Sequence, residues 1–379
     1  MQDNKVISIV LNNFTNDTRV LKEAQSLSKN DFNVTVVALQ DEGLKEKETL
    51  DDNLSISRLK LKTRSLPKRR FFQLIKYFEF FYKVVVKYRN KINIIHCNDL
   101  SALPMGVFIK VLSKNRIYVV YDAHEYETER DAMPIWLKHF LKFFERRLIK
   151  YTSKIFTVSD SIANAYKNDY NIEKPALVLN CPKYKEIKNK NNIFREKLNI
   201  AENKKIFLYQ GGLKSGRGIE ILLDAFKNIK NENIVIVFMG FGPLKKDILE
   251  ARKEHQNIYF YDAVSPEILL EHTNSADYGI LFYEDTCLNH RYCSPNKIFE
   301  YFMAEIPVIV SNLYEMKRLV ETYNVGEVAV ENNSSGFIEA LENISLKDYD
   351  LLVENVKKIK QKYNWEEQER VMLDEYKSL

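Results

Sequence analysis

The 379-residue chain is poor in cysteine, with only Cys97, Cys181, Cys287 and Cys293. They lie far apart except the last two, which have neither disulfide-framework nor zinc-ligand spacing. This points to a reducing cytoplasm and to no structural metal. No apolar run reaches the roughly 20 residues that a bilayer-spanning helix needs. Met1 leads almost directly into an apolar segment, Val6 to Leu11, so no signal peptide is expected. The phosphate-loop pattern Gly-x4-Gly-Lys-Ser/Thr is absent, and so is a full Gly-x-Gly-x-x-Gly. No Asp-x-Asp stands in a loop after an expected strand, where a divalent ion would be held, and no stacking-plus-basic signature of an RNA-binding sheet occurs. These absences rule out a P-loop, make a metal cofactor unexpected and disfavour nucleic acid as a partner.

What the chain does have is an alternation of short β-branched runs with helical stretches, over a length that suggests two domains. Strands are expected near 5–11, 33–38, 54–60, 92–96, 116–121, 154–158 and 176–179, and, after a polar Lys/Asn/Glu/Tyr linker at 183–192, near 205–210, 234–239, 257–261, 278–283, 307–311 and 327–330. Residues from about 346 to 378 have helical spacing only. The expected organisation is α/β, with two Rossmann-like parallel-sheet domains (1–185 and 186–360) facing across a cleft. Ligands of such sheets sit beyond the carboxyl ends of the strands.

Those strand-end loops hold the candidate site residues. In 289–309 a polar loop runs into a helix, with Ser294 expected as cap, Pro295 in the first turn, and Lys297 and Glu300 three apart on one face. Free N–H groups at that helix end favour an anion, so the pair could hold a phosphate and ribose hydroxyls; the alternative is a surface ion pair. Gln210 to Gly218, with Gly211, Gly212 and Gly216 lacking a Cβ and Arg217 adding a forked cation, reads as a diphosphate loop or as a flexible turn. Gly240, Phe241 and Gly242 form a second glycine turn that could set Phe241 against a base. In the first half, Leu11 to Arg19 closes a strand, with Asp17 or Thr18 as helix cap and Arg19 facing the cleft or solvent. His124 lies between acids in Asp122-Ala123-His124-Glu125, a better catalytic candidate than a histidine on an apolar face. His96, Asn98 and Asp99 form a similar group, in which Asp99 could equally serve as a cap.

Charge is uneven. Residues 1–185 carry 32 Lys and Arg against 21 Asp and Glu, and residues 186–379 carry 25 against 31. Twelve basic side chains and a single acid, Glu79, fall within 58–91, interleaved with aromatics. Together with a second such stretch at 136–147 this suits an anionic membrane surface, with Lys68, Arg69, Arg70, Phe71 and Phe72 facing it; the alternative is ordinary core helices with solvated lysines.

The order and spacing of these motifs resemble the retaining glycosyltransferases of family 4, which have the two-domain GT-B fold. The residues carrying the resemblance are Asp17 to Ala24, His96, Asp99, Asp122 to Glu125, Val158-Ser159, Asn180, Gly211 to Gly218, Ala276-Asp277, Ser294 to Tyr301 and Pro307 to Ile309. The resemblance implies that Glu300 binds the donor ribose, that Arg217 binds the diphosphate, that Lys297 adds a second positive charge at the diphosphate or the sugar, and that His124 contacts the donor sugar near the reacting carbon. It also implies a donor pocket drawn from Gly211, Gly212, Gly240, Phe241, Gly242, Ser294, Pro295 and Asn296. Asn16, Asp17, Arg19, Asp99 and Glu125 would take the acceptor, and a C-terminal helix (361–379) would cross back onto the first domain. The implied reaction moves a sugar, with retention and without a metal or other cofactor, from a UDP-sugar, or next a GDP-sugar, to a saccharide or lipid-linked saccharide of the cell envelope. From the cysteines and the basic, aromatic stretches the expected location is the cytoplasm, peripheral on the inner membrane face. Three positions depart from the family pattern: Tyr292 replaces a sugar-binding Glu, Gly212 replaces an Arg, and Glu305 replaces the Gly after the helix, where a rebuilt turn is expected. A nucleotide-sugar 2-epimerase and a non-catalytic nucleotide- or partner-binding protein are the alternatives.

Overall fold

The computed structural model describes residues 4–114 and 116–379. The chain forms two compact units, one made of the chain up to Val178 together with Glu369–Leu379, the other of Leu179–Gln368.

The first unit is built on β1 (Lys5–Ile9), β2 (Asn33–Leu39), β3 (Lys47–Asp51), β4 (Leu54–Leu59), β5 (Ile94–Asn98), β6 (Tyr118–Ala123), β7 (Lys154–Thr157) and β8 (Ala176–Leu177), with α1 (Thr18–Lys29), α2 (Arg70–Tyr88), α3 (Asp99–Leu112), α4 (Ile135–Ile149) and α5 (Asp160–Tyr170) between them. The sheet order is β3-β4-β2-β1-β5-β6-β7-β8, parallel except for β3 against β4. Right-handed crossovers put α1 on one face and α2 to α5 on the other. With both faces covered, β1 and β5 are buried along almost their whole length. β3 was not expected: Lys-Glu-Thr-Leu-Asp is a mostly polar run, and it pairs only as an exposed edge, where no core dictates its pattern.

The second unit runs α6 (Ile193–Leu198), β9 (Lys205–Gly212), α7 (Ile219–Asn228), β10 (Ile234–Phe241), α8 (Lys245–Glu254), β11 (Ile258–Asp262), α9 (Pro266–Asn274), β12 (Tyr278–Leu281), α10 (Leu288–Tyr292), α11 (Asn296–Met303), β13 (Val308–Val310), α12 (Tyr314–Tyr323), β14 (Gly326–Val328), α13 (Ser334–Leu346) and α14 (Tyr349–Lys360). A last helix, α15 (Trp365–Lys377), begins here and ends in the first unit. The sheet order β11-β10-β9-β12-β13-β14 is parallel throughout. Alternate side chains of β9 and β10 feed two cores: Leu208, Val235 and Val237 pack with Phe299 and Phe302, while Phe207, Ile236 and Phe238 pack with Phe226 and Phe337.

Strand order reverses between β1 and β5 in one sheet and between β9 and β12 in the other. At such switch points the connections leave in opposite directions and open a crevice at the carboxyl ends. The Gly211 loop and α11 stand at the second of these.

After α11 the expected rebuilding does not occur. Glu305 keeps a left-handed backbone (φ 61°), the Ile306 N–H donates to Tyr301 O at 3.1 Å, and the strain is offset by an ion pair from Lys360 at 2.5 Å. Before α7, Gly218 has φ 73°, and a Cβ there would fall 1.8 Å from Phe282 O. Gly218→Ala is therefore expected to cost roughly 2–4 kcal/mol, combining left-handed strain with overpacking. An unchanged urea midpoint would refute this account of the turn.

Candidate functional site

In the second unit the polar end of β9 meets the start of α11. Helix α11 begins at Asn296 with Pro295 in the cap position, one residue later than expected, and Ser294 is buried before it. Proline has no N–H to leave unpaired, so it tolerates the cap position as well as the first turn. Within the first five residues of the helix, Lys297 and Glu300 are half-buried and are held by different partners rather than forming a surface pair. The Lys297 Nζ lies 4.4 Å from the Tyr209 ring centroid and donates to Tyr209 Oη at 3.2 Å. Glu300 Oε2 accepts from Gln210 Nε2 at 2.5 Å, while Gln210 Oε1 accepts from Thr273 Oγ1 at 2.8 Å, so the carboxylate is fixed through the buried amide to α9. The Arg217 guanidinium stacks 4.3 Å over the ring of Tyr283, just beyond β12.

Burial first, and then the positive charge of Arg217, depress Lys297 to about 7 against the partial restoring effect of Glu300. Two basic groups held so close repel each other, which disfavours the charged form of the lysine.

The glycines divide by role. Gly211 (φ 111°) makes room for the lysine, since a Cβ there would sit 2.5 Å from Lys297 Cε. Gly240 and Gly242 are packing positions, because a Cβ would meet Gly211 O at 1.9 Å and Leu213 O at 2.2 Å. Gly212 faces open space, Asn296 is exposed and Phe241 is 72% exposed at the end of β10. Tyr292 packs edge-on against Tyr314, with ring centroids 6.3 Å apart.

In the first unit Asp17 caps α1, accepting from Val20 N at 3.3 Å, and Asn16 is exposed. Arg19 does not face solvent. It is buried, it forks onto Asp122 at 2.9 and 2.7 Å, it donates to Val178 O at 2.8 Å, and it pairs with Glu23 at 3.0 Å. A guanidinium so close to a strand-end carboxylate gains more from pairing than from water. Asp122 also bonds His124 Nε2 at 2.9 Å, while Asp99, whose backbone is left-handed (φ 65°), accepts from His124 N at 3.2 Å and lies 3.7 Å from its Nδ1. Asp99 thus serves His124 rather than capping α3. Glu125 is exposed and pairs with Arg130 at 3.0 Å. His96 is wholly inside β5 and bonds Tyr376 Oη of α15 at 2.6 Å.

Burial would lower His124, but the charges of Asp122 and Asp99 outweigh it and raise the imidazole to about 9. Burial likewise would raise Asp122, but Arg19 and His124 hold it well below the usual carboxylate range. Glu23 is raised to about 8, by burial first and by Asp122 against the pull of Arg19. The site therefore presents a protonated histidine at neutral pH, a donor rather than a base. Ligand atoms of Glu23, Asp122 and His124 lie within 4.8 Å of one another, but Arg19 already supplies the cation of that cluster.

Sequence reasoning assigned no role to Tyr209, Tyr283, Gln210 or Glu23. The only signal was position: Tyr209 lies in β9 and Tyr283 just beyond β12, the two strands that flank the switch point.

A family 4 glycosyltransferase profile matches residues 17–181, and a group 1 glycosyl transferase profile matches 204–348. No curated protein matches the chain in sequence. Among solved structures, sucrose-phosphate synthase of Thermosynechococcus elongatus is similar with a TM-score of 0.78 at 15% identity, over 99% of this chain and 98% of that one. HepE of Anabaena, in complex with UDP, gives 0.75 at 14% identity over 99% and 100%. WaaG, a glycosyltransferase involved in lipopolysaccharide biosynthesis, gives 0.65 at 14% identity over 97% and 98%. The profiles fall on the two parallel-sheet units in turn, the architecture is that of GT-B glycosyltransferases, and the chain belongs to the family 4 type of glycosyltransferases.

Proposed function

We propose that the protein transfers a sugar from a nucleoside-diphosphate sugar, a UDP-sugar before a GDP-sugar, to a saccharide or lipid-linked saccharide acceptor with retention, in envelope polysaccharide or glycoconjugate synthesis. The observation that carries this reading is the pairing of Arg217 and Lys297, two basic groups held against tyrosine rings with no carboxylate bonded to either, beside an anchored Glu300 at the carboxyl end of β9. Diphosphate would satisfy the cations and ribose hydroxyls the carboxylate. HepE, with the same fold, is found with UDP, and WaaG serves lipopolysaccharide synthesis.

The chemistry follows from charge. The bond between the anomeric carbon and the diphosphate oxygen breaks, leaving positive charge on the ring and negative charge on the phosphate. Arg217 and Lys297 stabilise the phosphate without a metal. The acceptor hydroxyl bonds to the same face of the anomeric carbon and passes its proton to the departing phosphate oxygen. Charged His124 donates to a hydroxyl of the transferred sugar, and Asn16, Asp17 and Glu125 offer polar atoms to the acceptor.

Calorimetric titration with UDP, GDP, ADP and CMP in the absence of metal tests the donor assignment. UDP is expected to bind, and Glu300→Ala and Arg217→Ala are each expected to weaken it roughly 10- to 100-fold, as befits loss of a hydrogen bond to a charged group. Binding of none of the four nucleotides by the wild type would sink the reading.

A further inference from the structure

The layer of α2, α3 and α4 keeps large apolar side chains in water. On α2, Phe71, Leu74, Phe78, Tyr82 and Val86 are between 55% and 67% exposed, and steps of three and four residues put them on one helix face. On α4, Trp136, Phe140 and Phe143 are 69%, 58% and 57% exposed. Helix α3 lies between them: Tyr77 Oη donates to Ser101 O at 3.0 Å, the Phe81 and Phe108 rings stand 5.4 Å apart, and α3 in turn packs on α4.

The acids of these helices are all engaged by neighbouring groups. The three helices hold three, Glu79, Asp99 and Glu145. Glu79 accepts from Lys62 N, Thr63 N and Thr63 Oγ1 at 2.7 to 2.9 Å. Asp99 holds His124. Glu145 is completely buried and accepts from the hydroxyls of Tyr121, Tyr166 and Tyr170 at 2.7, 2.7 and 2.5 Å. Exposed bases remain at the edges: Lys68, Arg69 and Arg70 before and at the start of α2, and Arg147 near the end of α4, stacked 4.8 Å over Phe143.

Aromatic side chains with a basic rim and no acid along their outward helix faces are complementary to an anionic bilayer, where rings sit at headgroup level and lysine and arginine meet phosphates. A second copy fits worse, because a two-fold interface would pair this patch with itself, and the exposed charges that each copy brings from its edges are basic. We propose that α2, α3 and α4 dock the first unit onto an anionic membrane surface. The docking stands on this face alone; that a lipid-linked acceptor is met there rests on the sugar-transfer reading.

The full chain is mixed with phosphatidylcholine vesicles, with and without phosphatidylglycerol, and read by flotation and tryptophan emission. Trp136 is exposed while Trp365, the other tryptophan of the chain, is 2% exposed and serves as a constant background. Binding is expected with phosphatidylglycerol only, with a blue shift, quenching by brominated acyl chains, and loss at high salt. Replacing Lys68, Arg69 and Arg70 together by Ala is expected to weaken partitioning roughly a hundredfold and to leave UDP affinity unchanged, which also shows the variant is folded. Failure of wild-type protein to float on the anionic vesicles at low salt, with UDP still bound, overturns the docking and leaves the donor reading intact. A concentration-dependent dimer that hides Trp136 from vesicles also overturns it. Flotation without UDP binding supports the docking and removes the donor reading.

Discussion

Lys297→Met is expected to lower turnover roughly a hundred- to a thousandfold while leaving the protein as stable as the wild type or more so. The lysine sits against the Tyr209 ring, and burial and Arg217 together pull it down to about 7. The unfolded chain holds that proton up to the ordinary lysine value near 10.5, so between about 7 and 10.5 the unfolded state binds more protons. Stability therefore rises with pH across this window, and the cost of the charged lysine is felt in full below pH 7. Methionine keeps the stem without the charge, so its gain in thermal midpoint is expected to be largest below pH 7 and to vanish above about 10.5. The same depression shapes ligand binding. At pH 8 the free lysine is mostly neutral, a diphosphate favours the charged form, and UDP binding should take up a proton. Calorimetry in buffers of different ionisation enthalpy reads that uptake, and it should disappear in Lys297→Met. A variant that keeps the uptake would place the titrating group elsewhere.

Asp122→Asn is expected to cost about 3–5 kcal/mol, because it leaves the buried Arg19 charge without its forked partner. Glu23, 3.0 Å from Arg19, recovers part of the loss by ionising, since the Asp122 charge helps to hold it near 8. A second effect separates this account from simple packing damage. His124 owes its value of about 9 to Asp122 first and Asp99 second, against burial, and in the variant it should fall toward the ordinary 6.5. In the wild type the raised histidine contributes stability that is whole below pH 6.5 and is lost as pH climbs through 9; the variant should lack that slope. Urea unfolding against pH, with the histidine ring protons followed by NMR, reads both effects. An unchanged His124 titration would dissociate the two residues.

Much of this was legible in the residues. The strands of both sheets other than β3 announce themselves as short, mostly apolar runs, because buried parallel strands are apolar on both faces. Lys297 and Glu300 could be paired in advance, since helical periodicity fixes what three residues apart means. Asp17 could be named as a cap by its chemistry alone. Arg19 could not be placed. Its partner lies 103 residues away, and nothing local tells a guanidinium that meets a carboxylate from one that meets water. The edge strand β3 was equally hidden, since its pairing is backbone only and leaves no apolar signature.

By itself, then, the sequence determined the two α/β units, the strand ends at which chemistry-bearing residues collect, and the helix that carries Lys297 and Glu300. These follow from periodicity and capping, which act within a few residues. Only the tertiary structure decided that Tyr209 and Tyr283 support the two cations, that Asp122 keeps His124 charged while Arg19 turns inward, and that Glu79 and Glu145 face away from the aromatic layer. Each of those depends on groups distant in the chain meeting where water is scarce, and there the local dielectric and the partner at hand set both protonation and orientation.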